Sequence, residues 1–296
     1  MYIRGERMEL RDFLIRIKIG TTFGIKKQSQ IYQTVRDQPE LSISEWVHTS
    51  PLIADEQRSD LVNYLHSSKL KRKIHENEQN GGILTIADPA YPDILREIYC
   101  PPTVLFYRGR LDLLQEPRMI AIVGARNMTR YGMATVKKLV PGLLEHQLVT
   151  VSGLARGVDA MTHQATVDGA GKTIAVIGNG LDVTYPKQNA ILQDQVQQTG
   201  LLLSEYAQGA RPLRHHFVER NRIIAGLAQA TCIIEAKQKS GSLITASLAL
   251  GENRNVLAVP GSIFSENSRG TNELIAAGAR PLISLNDVLE EVGLQR

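Results

Sequence analysis

The chain has 296 residues, room for about two domains of ~100–200 residues each and for a core that needs no metal or disulfide to hold it. Hydrophobic residues make up 43% and charged residues 22%, which excludes a disordered, collagen-like or coiled-coil chain. The formal charge is +4, with a pI near 9.0, and it divides evenly at Gly82 into +2 before and +2 after, so neither part is a basic tail. No run of about 18 apolar residues is present, and Met1–Arg16 mixes charges with apolar residues in place of a signal core. A soluble, cytoplasmic protein with no membrane partner is expected. Cys100 and Cys232 are too few and too far apart for a disulfide framework or a cysteine zinc site, and packing roles are expected.

From Met8 to Asn77 the pattern is helical. Leu10, Phe13, Leu14 and Ile17 fall at i, i+3, i+4 and i+7, Ile31 and Val35 repeat the spacing, and Gly20 and Gly24 punctuate the first two helices. Ser42 and Glu45 read as a capping box before Trp46 and Val47, and Leu61, Tyr64 and Leu65 mark one more helix. The polar stretch Glu76–Gly82 is the candidate boundary, dividing a small all-α domain (1–80) from the rest (81–296). Beyond it, apolar runs at Met119–Val123, Val149–Val151, Thr173–Ile177, Leu201–Leu203, Ala230–Ile234 and Val256–Val259 read as parallel strands buried on both faces. Helices are expected between and after them at Tyr131–His146, Val158–Val167, Lys187–Gln198, Phe217–Ala228, Leu243–Glu252 and Thr271–Ala277, with a kink at Pro141 in the first. The predicted fold is α/β, a Rossmann-like doubly wound, mostly parallel sheet.

In such a sheet ligands bind beyond the carboxyl ends of the strands. There the sequence places Gly124-Ala-Arg126, Ser152-Gly153-Leu-Ala-Arg156-Gly157, Gly178-Asn-Gly180, Ser204-Glu205, Glu235-Ala-Lys237 and Pro260-Gly261-Ser262. Small residues let backbone amides and helix N-termini approach an anion, and phosphate is the expected guest. Familiar nucleotide signatures fail: Gly178-Asn-Gly180 has Val183 at the third fingerprint position, and Gly171-Lys172-Thr173 precedes a strand and lacks the earlier glycine of a phosphate loop. No hydrolase motif stands out, no cofactor is implied, and His215-His216 reads as part of a cationic loop in preference to a metal site. Basic residues gather at Arg211, Arg214, Arg220, Arg222, Lys237 and Lys239 against only Glu219 and Glu235, with Arg126, Arg156 and Lys187 on neighbouring loops. Brought to one edge, they make a positive groove for a phosphate backbone, with Ser240-Gly241-Ser242 as an anion cradle at a helix start. Tyr131, Tyr185, Tyr206 and Phe217 offer few stacking positions, so weak sequence preference is expected.

Taken in order, Val123-Gly124-Ala-Arg126, Val151-Ser152-Gly153-Leu-Ala-Arg156-Gly157-Val-Asp159, Ile177-Gly178-Asn-Gly180-Leu-Asp182 and Tyr185-Pro186-Lys187 resemble the DNA-processing protein A (DprA, or Smf) family. Arg220-Asn221-Arg222, Glu235-Ala236-Lys237, Ser240-Gly241-Ser242 and Val259-Pro260-Gly261 continue the resemblance, which spans about Asp88 to Glu290. It implies a Rossmann-like core that binds single-stranded DNA, protects incoming strands in natural transformation and loads the RecA recombinase onto them, without enzymatic activity. By matched position, Arg126 and Lys187 are the principal phosphate contacts. Gly124, Ser152, Gly153, Arg156, Arg220, Asn221, Arg222, Lys237, Ser240, Gly241 and Ser242 line the same site. The family's homodimer places Asn272, Ile275, Ala276 and Leu282 at the subunit interface, and the N-terminal helices resemble its small sterile-alpha-motif-like (SAM-like) domain. No winged-helix segment follows Arg296, so function is expected to reside in the core. Two other readings stay open. One is a nucleotide N-glycosidic-bond hydrolase of the same Rossmann-like superfamily, with Glu235 as acid or base; the other is a scaffold with no nucleic-acid affinity.

Overall fold

The structure, a computed structural model, describes residues 9–38 and 41–294. Met8, where the helical pattern begins, and the first half of the segment read for a signal core therefore lie outside the described residues. Five helices come first: α1 (Leu10–Gly20), α2 (Ile25–Arg36), α3 (Ile43–Thr49), α4 (Asp55–His66) and α5 (Ser68–Gln79). α1 buries Phe13, Leu14 and Ile17, and the Trp46 ring of α3 meets Phe13 edge-on at 5.1 Å. The capping box is present: the Ser42 hydroxyl accepts the Glu45 amide while the Glu45 carboxylate accepts the Ser42 amide at 2.9 Å. α5 is a departure from the sequence reading, which placed the start of a linker at Glu76. Its buried stripe is Leu70, Ile74 and Asn77, so a polar residue holds the third position and hides the period.

The remainder forms one nine-stranded sheet. Its strands are β1 (Gly82–Thr85), β2 (Val104–Gly109), β3 (Met119–Val123), β4 (Val149–Ser152), β5 (Thr173–Ile177), β6 (Leu201–Ser204), β7 (Ala230–Ile233), β8 (Asn255–Ala258) and β9 (Arg280–Pro281). A single turn, α6 (Asp93–Arg96), lies between β1 and β2. Later helices are α7 (Arg130–Glu145), α8 (Val158–Asp168), α9 (Ala190–Thr199), α10 (Arg214–Leu227), α11 (Gly241–Gly251), α12 (Glu266–Ala276) and α13 (Leu285–Glu291). The spatial order is β1-β2-β6-β5-β4-β3-β7-β8-β9, with β1 and β2 antiparallel and every pair from β6 to β9 parallel. Every residue of β3, β4, β5, β6 and β7 is buried, as strands covered on both faces require. α7 runs through Pro141. After β3 the chain builds outward on one side through β4, β5 and β6, then returns to place β7 on β3's other flank. That reversal is the switch point at which a doubly wound sheet opens a crevice.

The helical segment packs against the sheet through one continuous apolar cluster that includes Phe13, Trp46, Leu84 and Phe106. It is also pinned by charge. Glu205, just beyond β6, accepts Arg222 of α10 at 2.9 Å and lies 3.5 Å from Lys18 of α1, all three being buried. Burial raises the Glu205 carboxyl, but Arg222 and Lys18 outweigh it and hold the group below the usual carboxylate range. Among the described residues, no helix is long and apolar enough to cross a membrane.

Two stability predictions follow from these buried groups. Glu205→Gln leaves two buried cations without a counter-charge and is expected to cost about 3–5 kcal/mol, read as a lower urea midpoint. The second concerns His163 on α8, fully buried with Nδ1 2.7 Å from the Thr173 hydroxyl, whose pKa burial pushes down from 6.5 to about 3. The unfolded chain then binds a proton across that window that the folded one refuses, so stability falls as pH drops. Between pH 7 and pH 5 the wild-type chain is expected to lose about 2 kcal/mol more than His163→Gln, measured by denaturation at both pH values.

Candidate nucleic-acid interface at the switch point

Beyond the carboxyl ends of β3 and β7 lies a cavity of about 590 Å³. Its walls come from the loop after β3 (Gly124–Asn127), the β4–α8 connection, Tyr185, the first turns of α10, and Lys237–Ser242 leading into α11. Glycines make the close approaches possible. A Cβ on Gly124 would sit 2.7 Å from the Val158 Cγ2 of α8, and one on Gly153 only 1.9 Å from the Arg220 Nη1. The Arg220 guanidinium thus crosses the chain where the chain has no side chain.

Charge in the crevice is lopsided. Arg126, Arg214, Arg220, Lys237 and Lys239 line it, and Asp159 is the one carboxylate that does so among the described residues. Arg220 is only 4% exposed; its Nη1 donates to the Val176 carbonyl and its Nε has no partner among the described residues. Burial pushes its pKa down to about 10, against the pull of Asp159, so it stays protonated at neutral pH. The Asp159 carboxyl is raised by its own burial, opposed by Arg220 and by the amides of Ala155 and Gly153. Arg126 is exposed and lies 6.0 Å from the Phe217 ring centroid, and Phe217 lies 5.3 Å from half-exposed Tyr185. Lys237 is held at 2.7 Å by Glu266, an exposed pair. No side-chain cap closes the first turn of α11, because the Ser240 hydroxyl instead meets the Ser242 hydroxyl at 2.9 Å. Free amides at a helix start, flanked by cations, suit an oxyanion.

Of the residues singled out from sequence, the fold brings Gly124, Arg126, Arg220, Asn221, Lys237, Ser240, Gly241 and Ser242 together on this cavity. Gly153 lies beneath Arg220 as its clearance. Arg156, on the connection before α8, and Lys187, at the start of a short 3-10 helix (Lys187–Asn189), are exposed outside the cavity wall and form no salt bridge among the described residues. Three residues are removed from their expected places. Ser152 is fully buried and its hydroxyl donates to the Ile122 carbonyl at 2.6 Å, inside the sheet. Arg222 faces Glu205 and Lys18 instead of the crevice, since two residues along a helix turn the side chain through about 200°. Leu282 packs in the chain's own core at 5% exposure, and the neighbour that points outward is Ile283.

Further expectations are redistributed. Asn272 is engaged within the chain, its side chain accepting the Gly261 amide and donating to the Gly261 carbonyl, while Ile275 is half-buried and Ala276 exposed. Glu235 does not line the cavity: its carboxylate accepts the Thr129 amide and hydroxyl at the start of α7. Gly178, Ser204 and Pro260 also stay off the cavity wall, and the connection after β5 reaches it only further on, at Tyr185. Asp159 and Asn267 are residues the search for a positive groove passed over. Asn267 donates to the Asn127 carbonyl at 3.1 Å and so ties α12 to the β3 loop across a separation of 140 residues, which no local pattern signals.

The fold and site define a class: a Rossmann-like α/β protein with a switch-point crevice lined mainly by cations. A profile of the family described as DNA recombination-mediator protein A matches residues 82–293. The chain belongs to that family. It is 51% identical over 207 residues to the DNA processing protein DprA of Streptococcus pneumoniae, covering 70% of this chain and 73% of the relative. Against DprA of Bacillus subtilis it is 43% identical over 215 residues, covering 73% and 72%. The X-ray structure of the S. pneumoniae protein superposes with a TM-score of 0.85 at 38% identity, covering 96% of this chain and 99% of that one. DNA processing protein A of Helicobacter pylori, solved for its single-stranded DNA binding mode, matches with a TM-score of 0.64 at 31% identity over 71% of this chain and 95% of that one.

Gly153→Ala tests the clearance. The added methyl group collides with the Arg220 guanidinium, and a destabilisation of about 1–3 kcal/mol is expected in urea denaturation. On an Arg220→Ala background the same substitution is expected to cost well under 1 kcal/mol, because the three atoms nearest the added methyl group all belong to the Arg220 guanidinium.

Proposed function

We propose that this protein binds single-stranded DNA along its phosphate backbone at the switch-point crevice, protects incoming strands in natural transformation and loads the RecA recombinase onto them. It acts as a homodimer and carries out no covalent step on the DNA. The observation that carries the reading is the concentration of Arg126, Arg214, Arg220, Lys237 and Lys239 on one cavity, where Asp159 is the one carboxylate in the lining among the described residues and Glu266 pairs with Lys237. Exposed Arg126, Arg156 and Lys187 extend positive charge past the cavity mouth, and the single-stranded DNA binding mode of the H. pylori relative supports the same ligand. Tyr185 and Phe217 beside Arg126 offer a base a surface that does not discriminate among sequences. The hydrolase reading loses support because the Glu235 carboxylate is engaged by Thr129.

Fluorescence-anisotropy titrations with a mixed-sequence strand and its duplex, at several salt concentrations, test the binding. Single-strand-preferring affinity that falls steeply with salt is expected. Arg126→Ala and Lys187→Ala are each expected to weaken binding alike for all sequences and to reduce the slope of log K against log salt by about 0.7–1. A loss confined to particular bases, or no binding at low salt, would contradict the proposal. Recombinase loading is read separately, as faster RecA assembly on a strand already coated by single-strand-binding protein, and the dimer by sedimentation equilibrium.

A further inference from the structure

Arg220 is the group in the crevice whose surroundings call for a ligand. Its guanidinium is buried, it has one hydrogen bond, to the Val176 carbonyl, and its Nε is unpartnered among the described residues. Asp159 acts on it through space but forms no salt bridge with it among the described residues. A buried cation so lightly satisfied is costly unless something anionic reaches it. The uncapped first turn of α11 lines the same cavity and presents backbone amides with Ser242 beside them.

The chemistry distinguishes two kinds of phosphate. A diester within a strand carries one charge, has two free oxygens and continues on both sides. A monoester at a strand end carries a charge of about −1.5 to −2 near neutral pH, offers three free oxygens and has chain on one side only. A cavity of about 590 Å³ with a buried arginine on its wall suits the second, with room for the terminal sugar and base. We propose that the crevice is a seat for the terminal phosphomonoester of a nucleic-acid strand, held by Arg220 and the first turn of α11. Exposed Arg126 on its wall and Lys187 outside it follow the backbone. This rests on the single-strand reading above and goes further by assigning the crevice to an end.

The test uses four internally labelled DNA strands of one sequence: 5′-phosphorylated, 3′-phosphorylated, hydroxyl at both ends, and circular. One phosphate-ended strand is expected to bind about ten-fold or more tighter than the hydroxyl-ended and circular strands, the lower range for charge-assisted hydrogen bonds, and it identifies which end is read. Excess deoxynucleoside monophosphate is expected to remove that advantage. So is Arg220→Gln. Because a buried arginine also contributes to folding, Gly241→Asp is a second variant: a Cβ there meets nothing within 4 Å, and an acid in the first turn of a helix favours folding. Its carboxylate occupies the place of the phosphate and is expected to erase the advantage with the thermal midpoint unchanged or raised. An advantage that survives both substitutions overturns the assignment to this crevice. Equal, salt-sensitive binding of all four strands overturns the terminal seat and leaves backbone binding standing, whereas no binding to any strand overturns both.

Discussion

Two arginines on one helix, Arg220 and Arg222, face opposite ways into the protein, and much of the architecture exists to let them do so. Arg222 is neutralised by Glu205 with Lys18 on the same carboxylate, so helix α10 is clamped between the sheet and the N-terminal helices. With that face fixed, Arg220 runs over Gly153 and onto the wall of the crevice. A buried charge that is paired holds structure, and one that is left nearly unpaired is open to an anion. The helix carries one of each.

The same clamp explains why the N-terminal helices belong to the argument about the site, although none of their residues lines the cavity. Lys18 reaches Glu205 from α1, and Asn77 of α5 accepts the Gln208 amide at 2.8 Å in the segment that leads to Arg214 and α10. Their contribution is positional. The segment entering the crevice from β6 is held from one side by the sheet and from the other by these helices. The apolar cluster that joins Phe13 and Trp46 to β1 and β2 makes that hold stiff, since close-packed side chains do not yield gradually.

Polar groups around the crevice are placed by the same logic of satisfied neighbours. Glu235 follows β7 at the switch point, where a carboxylate invites a catalytic reading, yet its oxygens receive the Thr129 amide and hydroxyl. Held there, it shapes the β3 loop that presents Arg126 and favours the start of α7 through the helix dipole. Asn272 does similar work for the loop at Gly261, and Asn267 for the loop at Asn127. Each residue stands near a strand end because loops need their backbone groups bonded, and sequence position alone does not separate such a residue from a ligand contact.

Much was readable in the chain before any coordinates. The strands from β3 to β8 are continuous apolar runs because parallel strands are covered on both faces, and that pattern survives without knowledge of neighbours. The glycine and arginine positions after β3 and the serine-glycine start of α11 were legible for a similar reason, since local backbone geometry demands those residue types. The strands β1 and β2 and helix α5 escaped the same reading because short antiparallel strands at one margin of the sheet and a stripe ending in Asn77 carry no strong period. Which basic residues converge was not legible at all. Arg220 and Arg222 look alike in the sequence, as do Leu282 and Ile283, and facing is settled by helix phase and by partners more than a hundred residues away, such as Lys18 for Glu205. Local patterns record what one element needs to form; the direction in which a side chain points is decided when elements pack, because burial and charge pairing are properties of the assembled neighbours.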